Sequence, residues 1–116
     1  MTRIFPDRYI LGMKTIFQAL AEPNRLQIVE LLRTGPLGVG EIAERLSMSQ
    51  PQTSKHLKVL SEAGLLQMEA AANRRIYRLS AGSFQELEAW ASSFRRDWEQ
   101  RMDRLDDYLS RLQDEK

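Results

Sequence analysis

At 116 residues with 42% apolar side chains, the chain has the length of one small domain and can bury one modest core. It has no cysteine, no apolar run near the roughly 18 residues a membrane span needs and no charged-then-apolar leader pattern, so the reading is of a cytoplasmic protein, neither disulfide-stapled nor membrane-embedded. The net charge of +1 conceals an asymmetry, because residues 1–80 carry 11 Lys and Arg against 7 Asp and Glu whereas residues 81–116 carry 6 against 9; a basic body precedes a mildly acidic segment.

Tyr9, Ile10, Met13, Ile16, Phe17 and Leu20 recur at three- and four-residue spacing, which predicts a first amphipathic helix. The run Ala21-Glu22-Pro23-Asn24 interrupts it, and Pro23 suits the first turn of a second helix, whose apolar positions are Leu26, Ile28, Val29, Leu31 and Leu32 and whose end lies near Thr34-Gly35-Pro36. A short third helix over Val39–Leu46 presents Val39, Ile42, Ala43 and Leu46 on one side. After the polar turn Ser47-Met48, Ser49 followed three residues later by Gln52 has the capping-box spacing; it predicts a fourth helix from about Gln50 to Ala63, stopped by Gly64. At 100° per residue Thr53, Leu57 and Leu60 share one side of that helix, and Pro51, Ser54, Lys55 and Lys58 lie opposite.

The period then falls to two. Leu66, Met68 and Ala70 alternate with Gln67 and Glu69, Ala71-Ala72-Asn73 make a turn, and Ile76, Tyr77 and Leu79 return as a second strand, a hairpin expected to be the chain's only sheet. From Phe84 the apolar residues fall at 84, 87, 91, 94, 98, 105, 108 and 112, with Arg101 where one member is missing. This heptad-like stripe occupies a helix of some 30 residues, roughly 45 Å long, more than so small a body can cover. The expected fold is mainly α with a small β-hairpin: a winged helix-turn-helix occupying residues 1–116 as a single domain. Residues 8–80 form its core and residues 83–114 a C-terminal dimerisation helix. The long N- and C-terminal helices would build a homodimer interface from Tyr9, Met13, Phe17, Phe84, Leu87, Trp90, Phe94, Trp98, Leu105 and Leu109.

Two helices joined by a tight polar turn, the second with an outer face of Ser, Gln and Lys, and then a hairpin with arginines on its return strand suit duplex DNA. Gln and Lys reach base-edge groups in the major groove, and Ser, Thr, Lys and Arg reach phosphate oxygens. The candidate contacts are Ser47, Ser49, Gln50, Gln52, Thr53, Ser54, Lys55, Lys58, Arg74 and Arg75. Gln50, Gln52, Ser54 and Lys55 are expected nearest the bases, with Arg74 and Arg75 on the backbone or in the minor groove. Taken singly, two lysines on a helix face are a solvated surface and two arginines beside a turn are edge-strand charges; their combination carries the reading. The alternative is a winged-helix module for protein contacts without DNA affinity. An enzyme has no support: there is no cysteine, one histidine on a packed helix, and no glycine-rich phosphate loop.

The strings LAEPNRLQIVELL (Leu20–Leu32), VGEIAERL (Val39–Leu46), SQPQTSKHLKVLSEAGL (Ser49–Leu65) and RRIYRL (Arg74–Leu79) closely resemble the ArsR/SmtB-type bacterial repressors, over roughly residues 10–80. The resemblance implies a homodimer that represses transcription from inverted-repeat operators in double-stranded DNA. Metal-sensing members commonly carry Cys-Val-Cys before the turn; the corresponding positions here read Gly38-Val39-Gly40. Others bind zinc through Asp and His on paired C-terminal helices, and this helix has no histidine. Asp103, Asp106 and Asp107 without imidazole or thiolate make a poor zinc or copper site. The expectation is a branch of the family without metal, cofactor or catalytic residue, with any small-molecule effector unknown. His56, the sole histidine, is read as a structural hydrogen bonder, the five methionines as core filler, and Trp90 and Trp98 as interface core.

Overall fold

Pro23 has no amide hydrogen to give, so it can occupy a first helical turn, where that hydrogen would go unused. The computed structural model describes residues 7–114, and in it helix α1 (Asp7–Leu20) gives way at this proline to α2 (Pro23–Leu32). Glu22 caps α2, its carboxylate accepting from the Arg25 amide at 2.9 Å. Arg25 in turn donates through Nε to the Ala19 carbonyl at 2.7 Å and through Nη2 to the Gln18 carbonyl at 3.2 Å. The corner therefore satisfies orphan groups at both helix ends.

Two short helical elements follow, α3 (Val39–Arg45) and α4 (Gln50–Glu62). Both terminate in the same way. The Leu65 amide bonds back to the Leu60 carbonyl at 3.0 Å with Gly64 at φ 82°, and the Met48 amide bonds to the Ala43 carbonyl at 2.9 Å with Ser47 at φ 55°. These are left-handed helix stops of the kind glycine favours, and at the turn between the two helices a serine occupies the glycine's place. The turn is consequently tight, and Ser49 caps α4 by accepting from the Gln52 amide at 3.2 Å. Among the described residues the Gln52 side chain makes no reciprocal bond to Ser49.

The hairpin consists of β2 (Leu66–Ala71) and β3 (Arg74–Leu79), with Ala71 opposite Arg74 and Leu66 opposite Leu79. It is not the whole sheet, as the alternation of apolar residues suggested. Leu37 and Gly38, just before α3, form a two-residue strand β1 that pairs with the other edge of β3 through Tyr77 and Ile76, giving the antiparallel order β1-β3-β2. A strand of two residues has no period to detect, and Gly35-Pro36 beside it reads as a helix end. The fold is a winged helix-turn-helix, with the hairpin as its wing.

The core is built from Ile28, Val29 and Leu32 of α2, Ile42 and Ala43 of α3, Leu57 and Leu60 of α4, Leu65 and Leu66, and Tyr77, against Met13, Ile16 and Ala19 of α1. All of it lies in the first of two compact units, which ends at Ser83; residues from Phe84 onward form the second. That second unit is the greater part of one helix, α5 (Ala81–Asp114), in which no residue is buried. Trp90 and Phe94 pack edge to face on it with ring centroids 5.0 Å apart, and Phe84, Leu87 and Trp90 have intermediate exposure.

A serine held at positive φ is strained by roughly 1–2 kcal/mol relative to glycine. Part of that is offset by glycine's greater freedom in the unfolded chain. Ser47→Gly is therefore expected to stabilise the protein by about 0.5–1 kcal/mol, read as a higher midpoint in thermal or urea unfolding.

Candidate nucleic-acid interface

Helix α4 has two faces with opposite environments. Thr53, Leu57 and Leu60 have no exposed surface, whereas Gln50, Pro51, Gln52, Ser54, Lys55 and Lys58 are exposed. The buried trio fixes the roll of the helix and so turns the polar residues outward together. Thr53 is the correction here: its residue type places it among the expected DNA contacts, but it is 0% exposed and its hydroxyl donates to the Ser49 carbonyl at 2.8 Å. It packs. Ser47 and Ser49 are exposed in the turn, Ser49 with its hydroxyl engaged as the cap.

An open groove of about 380 Å³ runs between α4 and the wing, lined by Gly38, Val39, Gly40, Gln50, Ser54, Asn73, Arg74 and Arg75. It brings Gln50 and Ser54 of the helix together with both wing arginines. Gln52, Lys55 and Lys58 face solvent outside it. Sequence reasoning did not find Gly38 and Gly40 as groove residues, since it considered them only as positions where other proteins carry cysteine. A Cβ on Gly38 would stand a tight 3.2 Å from Arg74 Nη2, whereas one on Gly40 would stand 3.5 Å from Gln50 Nε2, an ordinary contact.

The cations of this surface are not equivalent. Arg74 Nη2 donates to Glu41 Oε1 across 33 positions of sequence. Arg78 is held by Gln67 at 3.1 Å and Glu69 at 3.6 Å, and Lys58 stands 4.0 Å from Glu62. Lys55 and Arg75 have no ion pair among the described residues. His56 is half-buried with Nδ1 3.8 Å from the Glu22 carboxylate that caps α2, linking α4 to the α1–α2 corner.

Other expected sites fall elsewhere. Met13, expected at a dimer interface, is buried in the body beside Ile16 and Ala19; helical spacing placed it on an apolar face without distinguishing core from surface. The outward apolar residues of α1 are Ile10, Leu11 and Phe17, and the Tyr9 side chain lies outside the described residues. On α5, Phe94, Trp98, Leu105 and Leu109 are exposed, joined by Met102, Tyr108 and Leu112. Among the described residues no three His, Cys, Asp or Glu come together as metal ligands, and no helix is long and apolar enough to cross a membrane.

A capped helix with an outward Gln/Ser/Lys face, set beside a basic hairpin, defines a winged-helix regulator. Residues 22–67 match the family described as bacterial regulatory protein, arsR family. The chain is 30% identical over 82 residues to the transcriptional repressor SdpR of Bacillus subtilis, covering 71% of this chain and 91% of that one. It is 51% identical over 63 residues to the HTH-type transcriptional regulator Rv2034 of Mycobacterium tuberculosis, covering 54% of this chain but only 59% of that regulator. Among solved structures, the ArsR family transcriptional regulator RHA00566 superposes with a TM-score of 0.70 at 31% identity over 78% of this chain and 94% of its own. The homodimeric winged helix-turn-helix DNA-binding domain Mb0332 of Mycobacterium bovis does so with 0.64 at 26% identity, over 84% and 92%. The chain belongs to the arsR family of bacterial regulatory proteins, a family of regulators and not of enzymes.

The inward and outward faces of α4 differ in what they contribute to folding. Thr53→Ala is expected to lower stability by about 1–2 kcal/mol through removal of a buried hydrogen bond and methyl. Gln52→Ala, on the exposed side, should change it by less than about 0.5 kcal/mol; urea unfolding of the two variants checks the contrast.

Proposed function

We propose that the protein is a homodimeric, sequence-specific DNA-binding transcriptional repressor acting at inverted-repeat operators in double-stranded DNA, without metal sensing. The observation that carries this reading is the exposed face of α4, where Gln50, Gln52, Ser54 and Lys55 point away from the buried Thr53, Leu57 and Leu60. Side chains in the first two turns of a capped helix can enter a major groove, where Gln and Lys have hydrogen-bonding partners on base edges. Arg75, exposed and without an ion pair among the described residues, supplies the wing's contact to the phosphate backbone. Kinship with the repressor SdpR supports the direction of regulation.

Metal plays no part in this reading because of donor chemistry. The positions where metal-sensing relatives carry thiolates are Gly38 and Gly40, which have no side-chain donor, and α5 contains no histidine.

The dimer rests on α5. Phe94 and Trp98 are 58% and 62% exposed, and Leu105, Leu109 and Leu112 continue the same stripe; a contiguous apolar surface of this kind marks an association site. Ile10 and Leu11 offer a second apolar surface on α1. The homodimeric state of the Mb0332 domain favours a second copy of the chain as the occupant.

Selection from a random duplex pool is expected to recover an inverted repeat with half-sites about one helical turn, roughly 34–36 Å, or a multiple apart. Gln52→Ala or Lys55→Ala should relax preference at particular operator positions, by about 1–3 kcal/mol for each base-edge interaction removed. Arg75→Ala should weaken binding to all sequences and reduce the salt slope by about 0.9 for each phosphate no longer neutralised. Recovery of no enriched sequence, with no affinity for any duplex, would favour a protein-contact module instead. Sedimentation at micromolar concentration should give twice the chain mass, and Trp98→Ala should shift the population toward monomer.

A further inference from the structure

Two adjacent arginines at the base of the wing have different surroundings. The Arg75 side chain has no ion pair among the described residues, whereas Arg74 Nη2 donates to Glu41 Oε1 on the first turn of α3. The Arg74 guanidinium also lies against the backbone of Gly38, where a Cβ would stand 3.2 Å from Nη2 and 3.7 Å from Nε. A side chain at Gly38 would crowd this guanidinium, which reaches back from β3 to α3. Both partners keep much of their surface, with 62% of the Arg74 side chain and 41% of the Glu41 side chain exposed. Arg74 lines the groove, and its exposed guanidinium is one for which a DNA phosphate would compete with Glu41.

We propose that Glu41 masks Arg74, holding its charge off the DNA backbone and setting the protein's affinity below what its wing arginines could supply. The inference rests on the reading of the α4–wing groove as the DNA-facing surface. The physical basis is competition for one cation. A phosphate gains from a guanidinium chiefly by neutralisation and counterion release, and Arg74 is already neutralised by a carboxylate that would itself be brought toward the phosphates. Arg75 and Lys55 present no such competitor. Glu41 is then a residue of negative influence: it contributes nothing to DNA contact and lowers general affinity, so that base-edge contacts on α4 weigh more in the total. That is a route to specificity through weakened backbone binding.

The test measures binding of the full chain to one duplex lacking any operator, by fluorescence anisotropy over a range of salt concentrations. The proteins are wild type, Glu41→Gln, Arg74→Gln, the double variant Glu41→Gln/Arg74→Gln, and Arg75→Gln, each checked for folding by circular dichroism. Each phosphate contact steepens the slope of log affinity against log salt by about 0.9. Glu41→Gln is expected to bind more tightly with a slope steeper by about 0.9 per protomer. Arg75→Gln should be shallower by the same amount. The double variant should lack the gain that Glu41→Gln makes alone, because the freed cation is absent.

Three results would overturn the mask while leaving DNA binding intact. One is an Arg74→Gln slope as shallow as that of Arg75→Gln, which would put Arg74 on a phosphate in the wild type. Another is a Glu41→Gln slope equal to wild type. The third is a Glu41→Gln gain that persists in the double variant, which would make Glu41 a plain repulsive charge. A wild-type protein that binds no duplex at any salt concentration instead overturns the DNA-binding reading, and the mask with it.

Discussion

Burial of Leu57 and Leu60 on one side of α4 determines where every polar side chain on the other side points. Both are fully enclosed, as is Thr53 one turn earlier, and burying two leucines stabilises this docking by about 1.5–3 kcal/mol each. A helix of 13 residues would be marginal alone in water, so the docking is also what makes α4 a helix. The end conditions then set its axial position. Ser49 caps the start, Gly64 closes the end, and the left-handed Ser47 makes the preceding turn as short as a helix-turn-helix needs. Roll and axial position together leave Gln50, Gln52, Ser54 and Lys55 one orientation, set by packing before any ligand is present.

The same body distributes its positive charge unevenly, and the count of basic residues overstates what is available to a partner. Arg25 is used on the carbonyls at the end of α1, Arg33 on Glu30, Arg78 on Gln67 and Glu69, and Arg74 on Glu41. These exposed pairs add little to stability, on the order of 0–1 kcal/mol each, but they change the surface potential locally. The cations left without an acidic partner among the described residues include Lys55 at the exposed face of α4 and Arg75 at the wing. Arg75 lines the groove with Gln50 and Ser54, and Lys55 faces solvent beside it. Two uncompensated cations thus lie beside the polar helix face, which the excess of 11 over 7 in residues 1–80 does not locate.

What could be read from the sequence was what local physics encodes. The helix starts at Pro23 and Gln50, the stop at Gly64, the inward trio of α4 and the β2–β3 hairpin follow from spacing and cap chemistry within a few residues of each other. The features that escaped depend on partners distant in sequence. Strand β1 exists because Leu37 and Gly38 meet Tyr77 and Ile76; two residues alone carry no pattern. The Glu41–Arg74 pair spans 33 positions. Met13 and Phe17 occupy similar positions in an apolar repeat, yet one is buried and the other exposed, since periodicity locates a face and says nothing about what covers it. Thr53 shows a different failure: its inward position was legible at 100° per residue, but its residue type suggested a phosphate contact, and packing decided.

Helix α5 separates two properties that are often entangled in small regulators. The core closes with residues up to Tyr77, and none of the 34 residues of α5 is buried, so the fold of the body does not draw on the stripe from Phe94 to Leu112. That stripe instead leaves large apolar side chains 43–62% exposed along a helix about 51 Å long at 1.5 Å per residue. A surface of this extent is costly in water and favours association. In a symmetric dimer, as proposed, the same stripe would serve both partners. Burial of Leu57 and Leu60 orients the polar face of α4 within one chain, and in the proposed dimer the exposed stripe of α5 is the surface that a second chain would cover. A substitution in the first set acts on the folding of one chain, and in the proposed dimer one in the second would act on the association of two.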